Sequence, residues 1–189
     1  MPLHIFEPRY RAMVRDVLDS HRALAIVLIT DPKAIDAHGH PRIAQVAGAG
    51  LIVDHVELPS GRFNVLVRGR ARVHLDELPF GEKPYRTARA TVIVPPPGEA
   101  EAGDVSALVS AATTFAARVR ERDPRFELTL PKDADAGALA DLCAQHLILD
   151  ASERQAALET LDVGARVRRV TDALALQRLA LSTDPRELN

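Results

Sequence analysis

Tryptophan is absent from the 189 residues and cysteine nearly so. A single thiol, Cys143, excludes an intramolecular disulfide and any cysteine-built zinc site, and it suits a reducing compartment. Aromatic residues make up 4% of the chain, too few to interleave with basic residues as stacking platforms for single-stranded nucleic acid. Lysine is scarce as well: Lys33, Lys83 and Lys132 are the only three, and none follows a glycine or precedes serine or threonine. That excludes an NTPase phosphate loop, which needs glycine amides around the phosphates and a lysine directly after the last glycine. No uninterrupted apolar run approaches the roughly 20 residues of a membrane-spanning helix. The start, with Pro2, His4, Glu7 and Arg9, lacks the basic segment and apolar run of a secretory signal. A cytoplasmic protein without a membrane partner is the expectation.

Neither sign of charge dominates. The chain carries 24 basic and 26 acidic side chains, a net of -2, so no global field draws in a polyanion. The distribution is uneven: residues 1–94 hold 13 basic and 10 acidic side chains, net +3, and residues 95–189 hold 11 and 16, net -5. Hydrophobic residues at 47% suffice for a buried core. The length suits one domain, or one with a small appendage, and is too short for an ATPase motor joined to a catalytic domain.

Periodicity divides the chain. Leu3 to Phe6 reads as a strand end, and Glu7-Pro8 starts a helix, since proline is tolerated where the backbone donor is unpaired anyway. Tyr10, Met13, Val14, Val17 and Leu18 then recur at helical spacing on one stripe, with Phe6 and Tyr10 expected in the core. Leu24 to Ile29 is continuously apolar and reads as a strand covered on both faces. Residues 31–42, with Pro32, Gly39 and Pro41, read as a loop, and Gln45 to Leu58 as an extended segment whose Gly48 and Gly50 mark a bulge or close approach. Phe63, Val65 and Val67, then Ala71, Val73 and Leu75, alternate with polar residues, so Val53 to Leu75 reads as an antiparallel meander turned at Pro59-Ser60-Gly61. A further strand runs from about Tyr85 to Val94.

After Pro95-Pro96-Pro97-Gly98 the pattern becomes helical. Asp104 is expected to cap a helix whose apolar stripe is Val105, Leu108, Val109, Ala112, Phe115, Ala116 and Val119. Residues 138–149 repeat the spacing, Asp150 and Glu153 resemble a capping box, and Asp162 caps a last helix striped by Val163, Val167, Val170 and Leu174. The expected fold class is α+β: a β-rich part over residues 1–94 with one early helix, a Pro/Gly linker over 95–103, and an all-helical bundle over 104–189.

Several constellations are candidates for chemistry. Asp36, His38 and His40 offer two imidazoles and a carboxylate for zinc or nickel, but alternate residues in a loop do not preorganise a site, so no metal or other cofactor is expected. Gly48 and Gly50 begin a dinucleotide-type spacing that Val53 breaks. His55 and His74, beside Asp54 and Asp76, are placed to meet across the meander, and His146 beside Cys143 reads as a core histidine. Ser60, Ser106, Ser110 and Ser152 sit in a turn or on helices, without the glycine-flanked elbow of a nucleophile. Arg68, Arg70 and Arg72 share a face of a regular strand and form a small anion-facing patch, which a bulge at Gly69 would break.

The run Pro2-Leu3-His4-Ile5-Phe6-Glu7-Pro8-Arg9-Tyr10-Arg11, followed by Met13 and Val14, resembles the signature of the amino-terminal substrate-binding domain of ATP-dependent Lon proteases. Gly61-Arg62-Phe63-Asn64-Val65-Leu66-Val67-Arg68-Gly69 and Tyr85-Arg86-Thr87-Ala88 are further matches, and the helical part around Leu147 to Leu161 is similar to the helices that follow the barrel in that family.

The resemblance implies a PUA-like β-barrel-type part followed by a helical bundle. It further implies a non-enzymatic module that recognises unfolded or apolar polypeptide segments, or acts as an adaptor, with a Lon-type protease as a possible partner. Family members carry a strand before the position of Leu3. A missing strand would leave an unpaired barrel edge, and the expectation is that an upstream segment, another chain or self-association fills it. Glu7 and Arg9 are candidates for a local ion pair or a partner contact. The alternative function is RNA binding through the Arg68, Arg70 and Arg72 patch, and an enzyme with a metal at Asp36, His38 and His40 ranks third.

Overall fold

In the computed structural model, which describes residues 1–131 and 133–182, the chain divides after Val94 into two units. The first contains β1 (Pro2–Ile5), α1 (Pro8–Leu18), β2 (Ala23–Ile26), β3 (Ile29–Ile35), β4 (Pro41–Ile43), β5 (Val46–Glu57), β6 (Phe63–Glu77) and β7 (Ala88–Val92). Every ladder is antiparallel. The main sheet runs β1-β6-β5-β2, with β7 also on β6, while β3 and β4 form a separate two-stranded sheet. Among the described residues the main path does not return on itself.

β6 organises this unit because its 15 residues serve two partners. Its first half pairs with β1, with Val65 opposite Leu3, and its second half pairs with β7, with Leu75 opposite Ala90. The strict alternation of Phe63, Val65 and Val67 turns these side chains inward against Ile52 of β5 and against Val14 and Val17 of α1. Each such apolar side chain contributes roughly 1.5 to 3 kcal/mol when fully buried. Two extra residues break the β5·β6 register: Arg70, between the pairs Ala49↔Ala71 and Gly50↔Gly69, and Val53, between Ile52↔Val67 and Asp54↔Leu66. Beyond the Arg70 bulge, Val73 and Leu75 join a different cluster with Ala47. Gly50 is required at the bulge, since a Cβ there would lie 2.6 Å from Val67 Cγ1 and 2.8 Å from the Arg68 carbonyl oxygen.

Four expectations change in this unit. The 31–42 stretch is mostly a strand pair rather than a loop: Asp31 pairs with Arg42 and Ile35 with Pro41, and the irregular register accommodates Pro32. The apolar run 24–29 is not one strand buried on both faces. β2 ends the sheet path, and the chain leaves it at Val27-Leu28, so Ile26 and Ile29 are exposed. Phe6 and Tyr10 are exposed rather than core, because Phe6 lies past the end of β1, stacked on His4, and Tyr10 sits beneath the Arg9 guanidinium. The strand expected from Tyr85 begins only at Ala88, because Tyr85 turns inward to bond Asp16 of α1.

The second unit holds α2 (Ala102–Arg122), α3 (Ala136–Leu147), α4 (Ala151–Glu159) and α5 (Val163–Ser182). Residues 183–189 of the expected helical part lie outside the described residues. The predicted stripes do pack: Leu108, Ala112 and Phe115 of α2 meet Leu139, Cys143 and Leu147 of α3 and Val167, Val170 and Leu174 of α5. Asp150 Oδ1 accepts from the Glu153 amide at 2.9 Å, and Asp162 Oδ1 from the Ala165 amide at 2.7 Å. Both satisfy donors that a helix start leaves open, each cap being worth about 1 kcal/mol. α2 starts before Asp104, which instead pairs with Arg168 at 2.8 Å. His146 is exposed rather than core. The buried stripe of α3 runs Leu139, Ala140, Cys143, Ala144 and Leu147, one position to the side of it. Among the described residues no helix is long and apolar enough to cross a membrane.

Candidate functional site

The outer face of β1, β6 and β5 lies opposite the α1 core. Alternation in β1 sends Leu3 and Ile5 inward and leaves Pro2 and His4 outward; in β6, Asn64 and Leu66 are outward. Register then brings neighbours together. Pro2 and Asp54 flank Leu66, while His4 and Val56 flank Asn64. His4 Nδ1 lies 2.7 Å from Asn64 Oδ1, a hydrogen bond that fixes both polar groups on this face. Val56 is 55% exposed, Leu66 43% and Phe6 59%, a concentration of apolar surface in one small region. A shallow depression bounded by Pro2, His4, Asp54, Val56, Asn64 and Leu66 lies here.

β1 also carries an edge. The amide and carbonyl of residue 67 exchange hydrogen bonds with Met1 at 2.9 and 2.7 Å, so antiparallel alternation directs the backbone groups of Leu3 and Ile5 to β6 and those of Pro2 and His4 away from it. Proline at the outward position costs no ladder bond. Among the described residues, β1 pairs with β6 alone.

Asp36, His38 and His40 stand at the tip of the β3–β4 hairpin. Asp36 Oδ1 accepts from the backbone amides of His38 and His40, each at 2.8 Å, and Oδ2 lies 3.4 Å from His40 Nδ1. The His40 amide bond, with that of His38, holds the Asp36 carboxyl below the usual carboxylate range against the opposing effect of desolvation. The hairpin tip meets Phe80, from the segment after β6: ring centroids are 5.1 Å apart for His38 and 4.5 Å for His40. The carboxylate thus shapes a turn and the imidazoles pack on an aromatic ring; among the described residues, no three His, Cys, Asp or Glu side chains are grouped to hold a metal ion.

The other sequence candidates are dispersed. Glu7 and Arg9 pair with each other at 2.8 Å. Arg70 is the extra residue of the bulge, so Arg68, Arg70 and Arg72 do not form the single regular face that even spacing predicts. His55 stands opposite Val65 and His74 opposite Val46, far apart along the ladder, so the two do not meet. One polar cluster escapes sequence reasoning altogether: Asp16 of α1 accepts from Tyr85 and Lys83, and Lys83 Nζ lies 3.0 Å from the Tyr85 hydroxyl. Lys83 chiefly, with Tyr85, draws the Asp16 carboxyl below its ordinary range, and Asp16 raises Lys83 in turn. Burial is the main cause that raises Tyr85. The residues involved are 67 and 69 apart, beyond any periodicity.

An antiparallel sheet backed by one helix, joined to a four-helix unit, defines an α+β protein with exposed apolar surface on its sheet. The chain belongs to the family described as the ATP-dependent protease La (LON) substrate-binding domain, which matches residues 1–175. The Lon protease of Roseiflexus castenholzii (strain DSM 13941 / HLO8) is 33% identical over 144 residues, 74% of this chain and 18% of that protein. The Lon protease of Phenylobacterium zucineum (strain HLK1) is 30% identical over 181 residues, 94% of this chain and 22% of that one. The chain therefore spans about a fifth of the length of the curated relatives it matches. Two solved structures share the fold at TM-score 0.60 and 20% identity. The N-terminal domain of Mycobacterium avium complex Lon protease covers 93% of this chain with 90% of its own, and the Lon N-terminal domain protein from Xanthomonas campestris covers 95% with 88%.

Proposed function

We propose that this chain is a non-catalytic polypeptide-recognition module that docks extended, apolar segments of unfolded proteins on the outer face of β1, β6 and β5. The observation that carries the reading is the gathering of Val56, Leu66 and Phe6 on solvent-facing positions beside the outward backbone of β1. An extended segment laid there gains apolar burial from the face and main-chain bonds from the edge, the two components of strand addition. In this reading, unfolding and cleavage of the client belong to a Lon-type protease, in the same polypeptide or as a separate chain.

The test is binding of a reduced, alkylated model protein that cannot refold, followed by fluorescence anisotropy. Val56→Ser and Leu66→Ser together remove about 2 to 3 kcal/mol of attainable apolar burial, which predicts at least a tenfold loss of affinity and little response to salt. An unchanged affinity in a variant with native circular dichroism overturns the reading.

A further inference from the structure

We propose that the cleft between the β3–β4 hairpin tip and the segment after β6 binds an arginine side chain of an extended polypeptide. The inference deepens the polypeptide-recognition reading and rests on it for the source of that side chain.

The cleft is built from two stretches far apart in sequence, and it is held open by bonds rather than by chance contact. Arg86 donates from Nη1 to the Pro41 carbonyl at 2.8 Å, which ties the hairpin to the strand end. Its Nε and Nη2 grip the two Glu77 oxygens at 2.7 and 2.6 Å. Those bonds occupy the guanidinium and neutralise Glu77, so Asp36, whose outer oxygen has only the His40 imidazole beside it at 3.4 Å, is left without a permanent cation among the lining residues. The walls are aromatic and apolar: the His38 ring, the exposed part of Phe80, Leu78 and Pro79, with the more buried His40 as the floor. Asp36 is preorganised, because Oδ1 is committed to two backbone amides while half of the side chain stays in water.

A negative carboxylate at the rim of an aromatic slot is complementary to a flat cation with an apolar stem. The guanidinium of arginine stacks on Phe80 and donates to the outer Asp36 oxygen, and its methylenes cover Leu78 and Pro79. An acidic side chain is repelled, and a neutral apolar one brings no cation to the carboxylate. Because the rings and carboxylate are already in place, binding orders only the incoming side chain.

The experiment uses the full chain and short Gly/Ser peptides carrying one central arginine, citrulline, lysine or glutamate, with side-chain NMR signals of His38 and His40 as the readout. Arginine is expected to give saturable shifts at both histidines, with citrulline, its uncharged isostere, at least threefold weaker and glutamate without effect. Asp36→Asn, whose amide oxygen can still accept from both backbone amides, should weaken arginine binding about threefold, and Phe80→Leu by a similar factor. Equal affinity for arginine and citrulline, or full affinity in both variants, overturns the proposal. The unfolded-protein assay separates the two readings: if Asp36→Asn binds both the peptide and the client as wild type does, this cleft is refuted and the sheet face stands. If wild type ignores the client yet discriminates arginine from citrulline, the broader reading fails and the cleft remains.

Discussion

Replacing Arg166 with methionine should destabilise the helical unit by about 3 kcal/mol. Arg166 is 4% exposed, its Nη1 donates to the carbonyls of Thr160 and Leu161 at 2.7 and 3.2 Å, and its Nε lies 3.1 Å from Asp141 Oδ1. The side chain therefore closes the turn between α4 and α5 while fastening it to α3. Methionine keeps much of the volume and none of the donors. The two half-buried carbonyls lose their charged donor at about 1 kcal/mol each, the low end for unsatisfied backbone acceptors. The pair with Asp141 adds about another 1 kcal/mol, discounted because that carboxylate is 42% exposed and screened by water.

The reporter is already present. Cys143 is the chain's one thiol, 1% exposed and packed among Leu139, Leu147 and Val167, and burial pushes it up to about 11. Labelling by a disulfide reagent at pH 8 then requires opening of the core, and about 3 kcal/mol raises the open population roughly a hundredfold. The expected result is labelling faster by that factor in R166M, with a lowered urea midpoint and an unchanged slope. R166M removes one partner only and leaves the Asp141 carboxylate behind, so the near-neutral outcome of replacing a whole ion pair does not apply. Labelling within threefold of wild type would refute the assignment of Arg166 as the fastener. Gly137→Ala gives an independent check: its Cβ would lie 2.9 Å from Arg166 Nη2, so the substitution should cost stability in wild type and less in R166M.

In the β-rich unit, Gly50→Ala is expected to lower stability by about 2 kcal/mol, because the methyl meets the Arg68 backbone and Val67 at the bulge. Gly48→Ala has nothing within 4 Å of its Cβ and should leave the melting temperature nearly unchanged; equal effects at both positions would contradict the close approach. The Asp16, Tyr85 and Lys83 cluster predicts a stability plateau between about pH 5 and pH 9. Asp16 is depressed, so its contribution is complete above the ordinary carboxylate value near 4 and is lost as pH falls through its folded value. Lys83 and Tyr85 are raised, so theirs is complete below about pH 10 and is lost as pH rises through their folded values. Urea midpoints measured across pH should show a shallower acid limb in Asp16→Asn than in wild type, and parallel acid limbs would count against the cluster.

The division of legible from illegible features follows the range of the interactions. The stripe Val163, Val167, Val170 and Leu174 and the caps Asp150 and Asp162 act within one helix or at its ends, and all take their predicted places. Phe63, Val65 and Val67 alternate because one face of β6 is buried, and that too is local. Phe80 is different: its meeting with His38 and His40 depends on the length of β6 and on the irregular β3–β4 register, and neither leaves a periodic trace. Arg70 becomes the bulge residue through the fit between β5 and β6, so composition at that position carries no signal for it.

The exposed apolar face of β1, β6 and β5 is hard to see in sequence for a similar reason. Leu66 stands between buried Val65 and Val67 in an unbroken apolar run, and Phe6 follows the apolar Ile5. A pattern that serves only packing places a polar residue at an outward position such as 66, as β6 does with Asn64 two residues earlier. Leucine there stays half exposed between its cross-strand neighbours Pro2 and Asp54, and the proposed function gives that apolar surface a use. If the proposed function holds, position 66, rather than the buried positions beside it, is where a polar substitution should separate binding from folding.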